Sequence, residues 1–236
     1  TERIMSFSNL AASLAISLGA VVCIGTGFST EALAAEGPQP WQMNFQPAAT
    51  PVMVWITEFH NQLLVLITVI TLFVTALMAY VAVKYNAKAN PVPSTRSHNT
   101  ILEVLWTVIP IMILVIMTVP SIKLLYFEDR APNAEMTLKV TANQFSWNYE
   151  YPDHDGLTFD ATMVADEDIK DGQIRLLSTD APVVVPVDTE IRVLIAAADV
   201  VHAWAVPAFG VKIDAVPGRL NETWFKATRE GTFYGQ

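Results

Sequence analysis

Two long apolar runs dominate the first half of the chain. Residues 61–83 contain no charged side chain, and residues 104–122 form a second uncharged run. About 20 apolar residues suffice for a helix to cross a bilayer, so each run is long enough to span one. The alternative is a buried hairpin of a large soluble protein, but the rest of the chain is too small to cover two such helices. The pattern therefore predicts a transmembrane hairpin over residues 54–126, with helices at about 56–85 and 101–126.

A shorter apolar run, residues 10–24, lies near the N-terminus. Arg3 precedes it, and an Ala-x-Ala pattern follows at residues 32–34. This order is typical of a secretory signal, so residues 1–35 are predicted to be a signal peptide and residues 36–53 an outer segment. A third membrane helix is the alternative, but the run is short and two glycines close it. Cys23, the single cysteine, lies in this run, so no disulfide is expected.

The loop between the two spans, residues 84–102, carries Lys84, Lys88 and Arg96 and no acidic residue. Basic loops stay on the cytoplasmic side, so both the N-terminal segment and everything after residue 126 are predicted to lie outside. The predicted signal peptide gives the same orientation independently.

The pattern changes after residue 135. Short runs rich in β-branched and aromatic residues alternate with turn pairs such as Pro152-Asp153 and Pro217-Gly218, which is typical of an all-β sandwich or barrel. The predicted strands cover residues 136–142, 145–151, 158–164, 174–177, 183–187, 191–197, 211–215 and 223–226. The expected fold class is therefore membrane α plus all-β.

The net charge of the chain comes from its second part. Residues 127–236 contain 18 acidic and 9 basic residues, whereas the first 126 contain 5 of each, so the whole net charge of −9 lies here. An acidic balance argues against nucleic acid as a partner. It indicates either a solubilising surface or a field that attracts a basic partner.

Two ionisable residues have positions that suggest chemistry. His202 directly follows a strand-like run, where it is either a copper or zinc ligand or a hydrogen-bonded structural histidine. Glu103 stands immediately before the second uncharged run. It is either an interfacial anchor favoured by the helix dipole or part of a proton pathway, and the residues alone leave this open.

Longer motifs carry a family resemblance. They are NTILEVLWTVIP at 99–110, WNYEY at 147–151, DVVHAWAVP at 199–207, KIDAVPGRLN at 212–221 and the final YGQ. From about residue 40 to the end, the chain resembles subunit II of the haem–copper cytochrome c oxidases, in particular the α-proteobacterial type. The resemblance implies a multi-pass protein of the bacterial inner membrane, with a two-helix hairpin and a periplasmic cupredoxin-like β-barrel domain at residues 127–236.

The resemblance also implies metals. His202 matches the first histidine ligand of the family's binuclear copper centre, whereas the other ligands follow Tyr-Gly-Gln in a Cys-x3-Cys-x3-His-x2-Met run. We therefore expect the domain to be cut short at Gln236, before these ligands, and the printed chain to be unable to hold the copper pair. The glutamate between the two cysteines, which helps to hold magnesium at the subunit interface, is beyond Gln236 as well. Haems and a further copper are expected in subunit I.

Other site residues carry over from the family by position. Electrons are expected to arrive at Phe145, where the family commonly has tryptophan, and at Trp147. The positions expected to dock cytochrome c are Gln144, Asp155, Asp160 and Asp199. Glu103 matches a proton pathway that starts near subunit I. The loop that matches the outer proton-exit region contains Lys212, Asp214 and Arg219.

The expected function is the electron-input subunit of a cytochrome c oxidase, a bilayer complex with subunits I and III. It would take electrons from cytochrome c and pass them to haem a of subunit I, where oxygen is reduced and protons are pumped, so this chain holds no complete active site. One alternative is the copper-less subunit II of a quinol oxidase. The other is a subunit with an assembly or structural role and no redox work.

Overall fold

Two long helices form the membrane part of the protein. A computed structural model describes residues 37–129 and 134–236, so the predicted signal peptide and Cys23 lie outside the described residues. Helix α1 covers Pro51–Lys84 and helix α2 covers Thr100–Glu128. Both are long and apolar enough to cross a membrane, and their middle parts are uncovered by the rest of the chain. The chain is a membrane protein. Helix α1 begins at Pro51, five residues before the predicted start at residue 56.

Side-chain caps fix where both helices begin. The Thr50 hydroxyl accepts a hydrogen bond from Met53 N at 3.1 Å, and Pro51 occupies the first helical position, where its missing N–H costs nothing. The Asn99 side chain accepts from Ile101 N and Leu102 N and caps α2 in the same way. Capping therefore sets the N-terminal boundary of each span.

Within residues 134–236, the structure shows seven strands in the outer domain. They are β1 (Met136–Asn143), β2 (Ser146–Tyr151), β3 (Leu157–Thr162), β4 (Ile191–Ala197), β5 (His202–Val206), β6 (Val211–Ala215) and β7 (Asn221–Phe225). A five-stranded sheet has the order β3-β2-β1-β4-β7, and β5 pairs with β6 in a second sheet. β1 and β4 run parallel and the other pairs are antiparallel.

The core lies against one face of the larger sheet. Every second residue of β1 and β4 is buried, among them Leu138, Val140, Ile191, Val193 and Ile195. Side chains alternate between the two faces of a strand, so this pattern fixes the register of both strands. Trp204 from β5 and Phe225 from β7 stack over this layer with ring centroids 6.4 Å apart.

Two predicted strands are absent from the described residues. Residues 174–177 form a turn in which Leu176 has a φ of 66° and Ser178 N donates to Ile174 O. Residues 183–187 carry no ladder, because a proline at 186 lacks an N–H and the Tyr151 hydroxyl bonds both Val184 N and Val184 O. The prediction also missed β5, whose five residues show no clear alternation of buried and exposed positions.

A junction of buried contacts joins the domain to the membrane helices. Thr50 is fully buried, and its hydroxyl donates to Phe209 O at 2.7 Å, while Ala49 N donates to Ala208 O at 2.9 Å. The turn at Gly210 packs directly on Met53. Helix α1 therefore begins inside the outer domain, and no flexible linker separates the two.

Aromatic rings complete the junction from the side of α2. The ring centroids of Trp55 and Phe127 lie 4.6 Å apart in a stacked pair, and Trp224 meets Phe127 edge-on at 5.4 Å. The Trp224 indole N–H also donates to Phe127 O at 3.0 Å. Both membrane helices are thus anchored to strand β7 or to the turn before β6.

Candidate electron-transfer site

Parallel pairing of β1 and β4 brings two loops to one edge of the sheet. Ala142 pairs with Ala197, so the turn after β1 and the loop after β4 leave the sheet side by side. We call this region the His202 edge and define it by the residues Gln144, Phe145, Trp147, Asp199 and His202. It gathers the predicted copper ligand, both predicted electron-entry aromatics and two of the four predicted docking residues.

Asp199 is the most heavily bonded residue of the His202 edge. Its Oδ2 accepts from Gln144 N at 2.7 Å, and its Oδ1 accepts from Val200 N at 2.6 Å and contacts His202 Nε2 at 2.8 Å. The bond to His202 is the main cause that lowers the pKa of the Asp199 carboxyl to about 2, and the backbone N–H groups add to it. The carboxylate is therefore ionised and can only accept, so Nε2 of His202 carries the proton.

Aromatic and apolar side chains cover the His202 edge. Phe145 is 90% exposed, and Val200 and Val201 beside it are 46% and 64% exposed. Trp147 is half-buried, and its ring meets the His202 imidazole edge-on with centroids 6.1 Å apart. Of the two predicted electron-input aromatics, Trp147 is thus the one whose ring contacts the histidine.

The predicted docking acids separate along the sheet. Asp160 lies on β3, two residues before the strand ends at Thr162, which pairs with Ser146. It pairs with Asn148 and accepts a hydrogen bond from Asn148 Nδ2 at 2.9 Å. Asp155 lies in the turn after the other end of β2, and the strand is about 17 Å long from Ser146 to Tyr151. The structure brings Asp160 and Asp199 towards one edge and leaves Asp155 at the far end.

His202 contributes a single metal-ligating side chain. Within residues 37–129 and 134–236, no three His, Cys, Asp or Glu side chains come together as a metal site. The imidazole itself suits copper, because it is only 18% exposed and its Nδ1 is left for a metal when Nε2 is bonded to Asp199. The described residues therefore fit one ligand of a copper site and do not close it.

The printed C-terminus lies next to the strand that carries His202. Gln236 N donates to Ala205 O at 2.9 Å, and a side chain at Gly235 would meet the same carbonyl at 3.1 Å. Residues 235 and 236 are thus held against β5, three residues along from His202.

Glu103 has a structural contact at the start of α2. Its Oε1 accepts from Asn99 N at 3.3 Å, while the Asn99 side chain caps the helix. This arrangement resembles a capping box, in which the two side chains bond each other's backbone. The contact gives Glu103 a structural role at the start of the helix. Its role in proton transfer stays a prediction.

The predicted outer loop is fixed by a residue that the sequence analysis missed. Asn221 Nδ2 donates to Asp214 O at 2.6 Å, whereas the bond recorded for Arg219 is from its backbone N to Val216 O. Lys212 lines a shallow pocket between this loop and the end of α2. The place of Arg219 in an outer proton-exit region stays a prediction.

A buried polar pair lies behind the His202 edge and was also missed. The Trp204 indole N–H donates to the Tyr149 hydroxyl at 3.1 Å, and both side chains are at least nine-tenths covered. Burial raises the pKa of Tyr149. Tyr149 lies in the motif WNYEY, but only the fold shows that Trp204 of a different sheet is its partner.

Comparison with known proteins agrees along most of the chain. Residues 38–124 match the family described as cytochrome c oxidase subunit II, transmembrane domain, and residues 136–236 match its periplasmic domain. The probable cytochrome c oxidase subunit 2 of Rickettsia felis is 50% identical over 202 residues, which are 86% of this chain and 64% of that protein.

A second relative is covered more fully. The probable cytochrome c oxidase subunit 2 of Rickettsia bellii is 49% identical over 209 residues, which are 89% of this chain and 77% of that protein. The crystal structure of the periplasmic domain of subunit II of cytochrome oxidase from Bradyrhizobium japonicum is 54% identical, with a TM-score of 0.42 over 45% of this chain and 74% of that one. The chain belongs to the cytochrome c oxidase subunit II family.

Proposed function

We propose that this chain is the electron-input subunit of a cytochrome c oxidase. Electrons from cytochrome c would arrive at the His202 edge and leave for the haem of subunit I, which reduces oxygen. The observation that carries the proposal is the contact of Trp147 with His202 at an edge that is apolar, exposed and flanked by acids. A quinol donor would need none of these features, and a purely structural subunit would not need an exposed ring beside an imidazole.

The family implies a copper centre, and we propose that it is binuclear with His202 as one ligand. Such a centre, when bound, supplies one-electron acceptance and release. The remaining family ligands would follow Gln236, whose backbone is bonded to Ala205 of the same strand as His202. A segment that continues from that point would start on the strand that carries His202, three residues along from it. The interface magnesium would depend on the same segment.

Docking of a basic cytochrome c would rest on the acidic outer domain. The excess of nine negative charges over residues 127–236 attracts a basic partner, and the exposed side chains of Phe145, Val200 and Val201 supply apolar contact. A standard interface covers about 800 Å² on each partner, so Asp160 falls within it and Asp155 at its rim.

Charge reversal at these acids tests the proposal in the assembled oxidase. Asp160→Lys should slow reduction by basic cytochrome c about 10- to 100-fold at low ionic strength, and Asp155→Lys should slow it less. Asp188→Lys, the same reversal in the turn before β4 and so at the opposite end of that strand from the His202 edge, is the matched control. Stopped-flow rates that are equal for Asp160→Lys and Asp188→Lys would refute docking at this edge.

Placement in the membrane completes the proposal. Residues 1–35 would be the secretory signal, the basic loop at 84–102 would face the cytoplasm, and the outer domain would face the periplasm of a bacterial inner membrane, beside subunits I and III. Glu103 would then lie on the cytoplasmic side, where protons are taken up. A Glu103→Gln oxidase should turn over more slowly while cytochrome c reduces it at the normal rate, and unchanged turnover would leave Glu103 as a helix cap only.

A further inference from the structure

Asp199 differs from the other predicted docking acids in how its oxygens are used. Three donors from three different positions converge on it: Gln144 N from the turn after β1, Val200 N from its own loop, and His202 Nε2 from β5. The two oxygens of a carboxylate offer about four acceptor sites, so most of its bonding capacity is spent inside the chain. Asp160, by comparison, bonds one exposed asparagine amide.

We infer that Asp199 is a positioning residue that fixes the His202 imidazole and the Gln144–Phe145 turn as one unit, and that it is not primarily a docking charge. The inference deepens the proposed function and rests on it, because it concerns the same edge. The Asp199 side chain thus ties the turn that carries the exposed Phe145 ring to the loop that leads to His202.

The direction of the His202 bond gives the carboxylate a specific chemical effect. The Asp199 carboxylate oxygen lies 2.8 Å from His202 Nε2 and can only accept, so Nε2 donates to it and Nδ1 is left for a metal. A carboxylate that bonds the second nitrogen of a ligating histidine sets both the tautomer and the ring orientation. The Trp147 ring also meets the imidazole edge-on, with ring centroids 6.1 Å apart. The imidazole is thus oriented before any metal binds.

The first test needs no metal and uses the full chain in detergent micelles with ¹⁵N-labelled histidine. The chain has four histidines, and His202→Gln identifies the signal of interest. In the unchanged chain, the Nε2–H proton of His202 should be visible because its hydrogen bond slows exchange with water. It should disappear in Asp199→Ala and persist in Asp160→Ala. A visible proton in Asp199→Ala, or none in the unchanged chain, would overturn the inference.

The turn provides a second readout in the same samples. Exchange of the Gln144 amide with deuterium should become about tenfold faster in Asp199→Ala, as expected for the loss of one hydrogen bond. Asp199→Asn sharpens the result. Its single carbonyl oxygen cannot replace both carboxylate oxygens, so at least one of the two signals, from Gln144 or from His202, should change. The inference is contradicted if the Gln144 amide exchanges as slowly in both variants as it does in the unchanged chain.

Kinetics separate positioning from docking. A docking charge is screened at high salt, where the Debye length is about 3 Å at 1 M, whereas a displaced imidazole is not. In the assembled oxidase, Asp199→Asn should slow internal electron transfer equally at low and high salt, while the Asp160→Lys defect should fade. If Asp160→Lys leaves the rate of reduction by cytochrome c unchanged but the His202 Nε2–H signal is lost in Asp199→Ala, the docking proposal fails and the positioning role stands. A defect of Asp199→Asn that vanishes with salt makes it a docking charge instead.

Discussion

Thr50 joins the membrane hairpin to the outer domain through one hydroxyl, and its replacement by valine tests that junction. The hydroxyl donates to Phe209 O at 2.7 Å and accepts from Met53 N at 3.1 Å, and the residue is fully buried. Valine has nearly the same shape and removes both bonds without leaving a large cavity. Loss of a helix N-cap costs about 1 kcal/mol, and a buried carbonyl without its partner costs about 1–3 kcal/mol.

The expected loss of stability for Thr50→Val is therefore about 2–4 kcal/mol. For a chain of this size, 1 kcal/mol corresponds to about 2–4 °C in Tm, so the midpoint should fall by about 4–16 °C. Thermal unfolding of the full chain in detergent, followed by circular dichroism of the β-domain, measures it. Thr50→Ser is the matched control, because it keeps both hydrogen bonds and loses only a methyl group. The reasoning is refuted if valine is as stable as threonine, or if serine is destabilised as much as valine.

Two further predictions concern the same stability measurement. Gly210→Ala should cost about 1–3 kcal/mol, because a Cβ at φ +71° would lie 2.7 Å from the Ile56 side chain and 3.1 Å from Met53 Cα, whereas Gly156→Ala, at φ +67° in open space, should cost less. Hydrogen bonds from the Thr162 hydroxyl and N–H lower the pKa of Asp180 below its ordinary 3.8. The ionised carboxylate therefore stabilises the fold above pH 3.8, and this stabilisation is lost as the pH falls through the folded-state pKa. The Tm difference between the unchanged chain and Asp180→Asn should therefore shrink below pH 3.8, and a constant difference from pH 7 to pH 2 would contradict it.

Elements with a strong local signal were predictable from the sequence. The uncharged runs indicated both membrane helices, because a span in lipid must be apolar along its length. The alternation in β1 and β4 indicated both central strands, since each buries one face. Helix α1 was predicted to begin at 56 because the residues before it look like a polar, proline-bearing outer segment. The actual start is set by Thr50, whose buried partner Phe209 is far away in the sequence.

Features that depend on distant partners were not predictable in this way. The run 183–187 is apolar and β-rich, yet it forms no ladder because the Tyr151 hydroxyl occupies the Val184 backbone. The bonds of Asp199 likewise join residues 55 positions apart. The family resemblance gave Asp155 and Asp199 one role, whereas the topology puts them at opposite ends of the sheet.

The junction and the His202 edge together explain why this fold suits electron input. Helix α1 continues without interruption from buried Thr50 into its uncharged part, and the residues 51–60 that precede this part span about 15 Å. Trp224 and Phe127 fix the end of α2 to β7, so the outer domain cannot swing freely on the hairpin. Strand β5 then connects the two regions directly, since it begins at His202 and ends just before the turn that packs on Met53. A short, fully paired strand therefore transmits the position of the membrane helices to the imidazole, and loosening the junction through Thr50 or Gly210 should alter the placement of His202 as well as the stability of the chain.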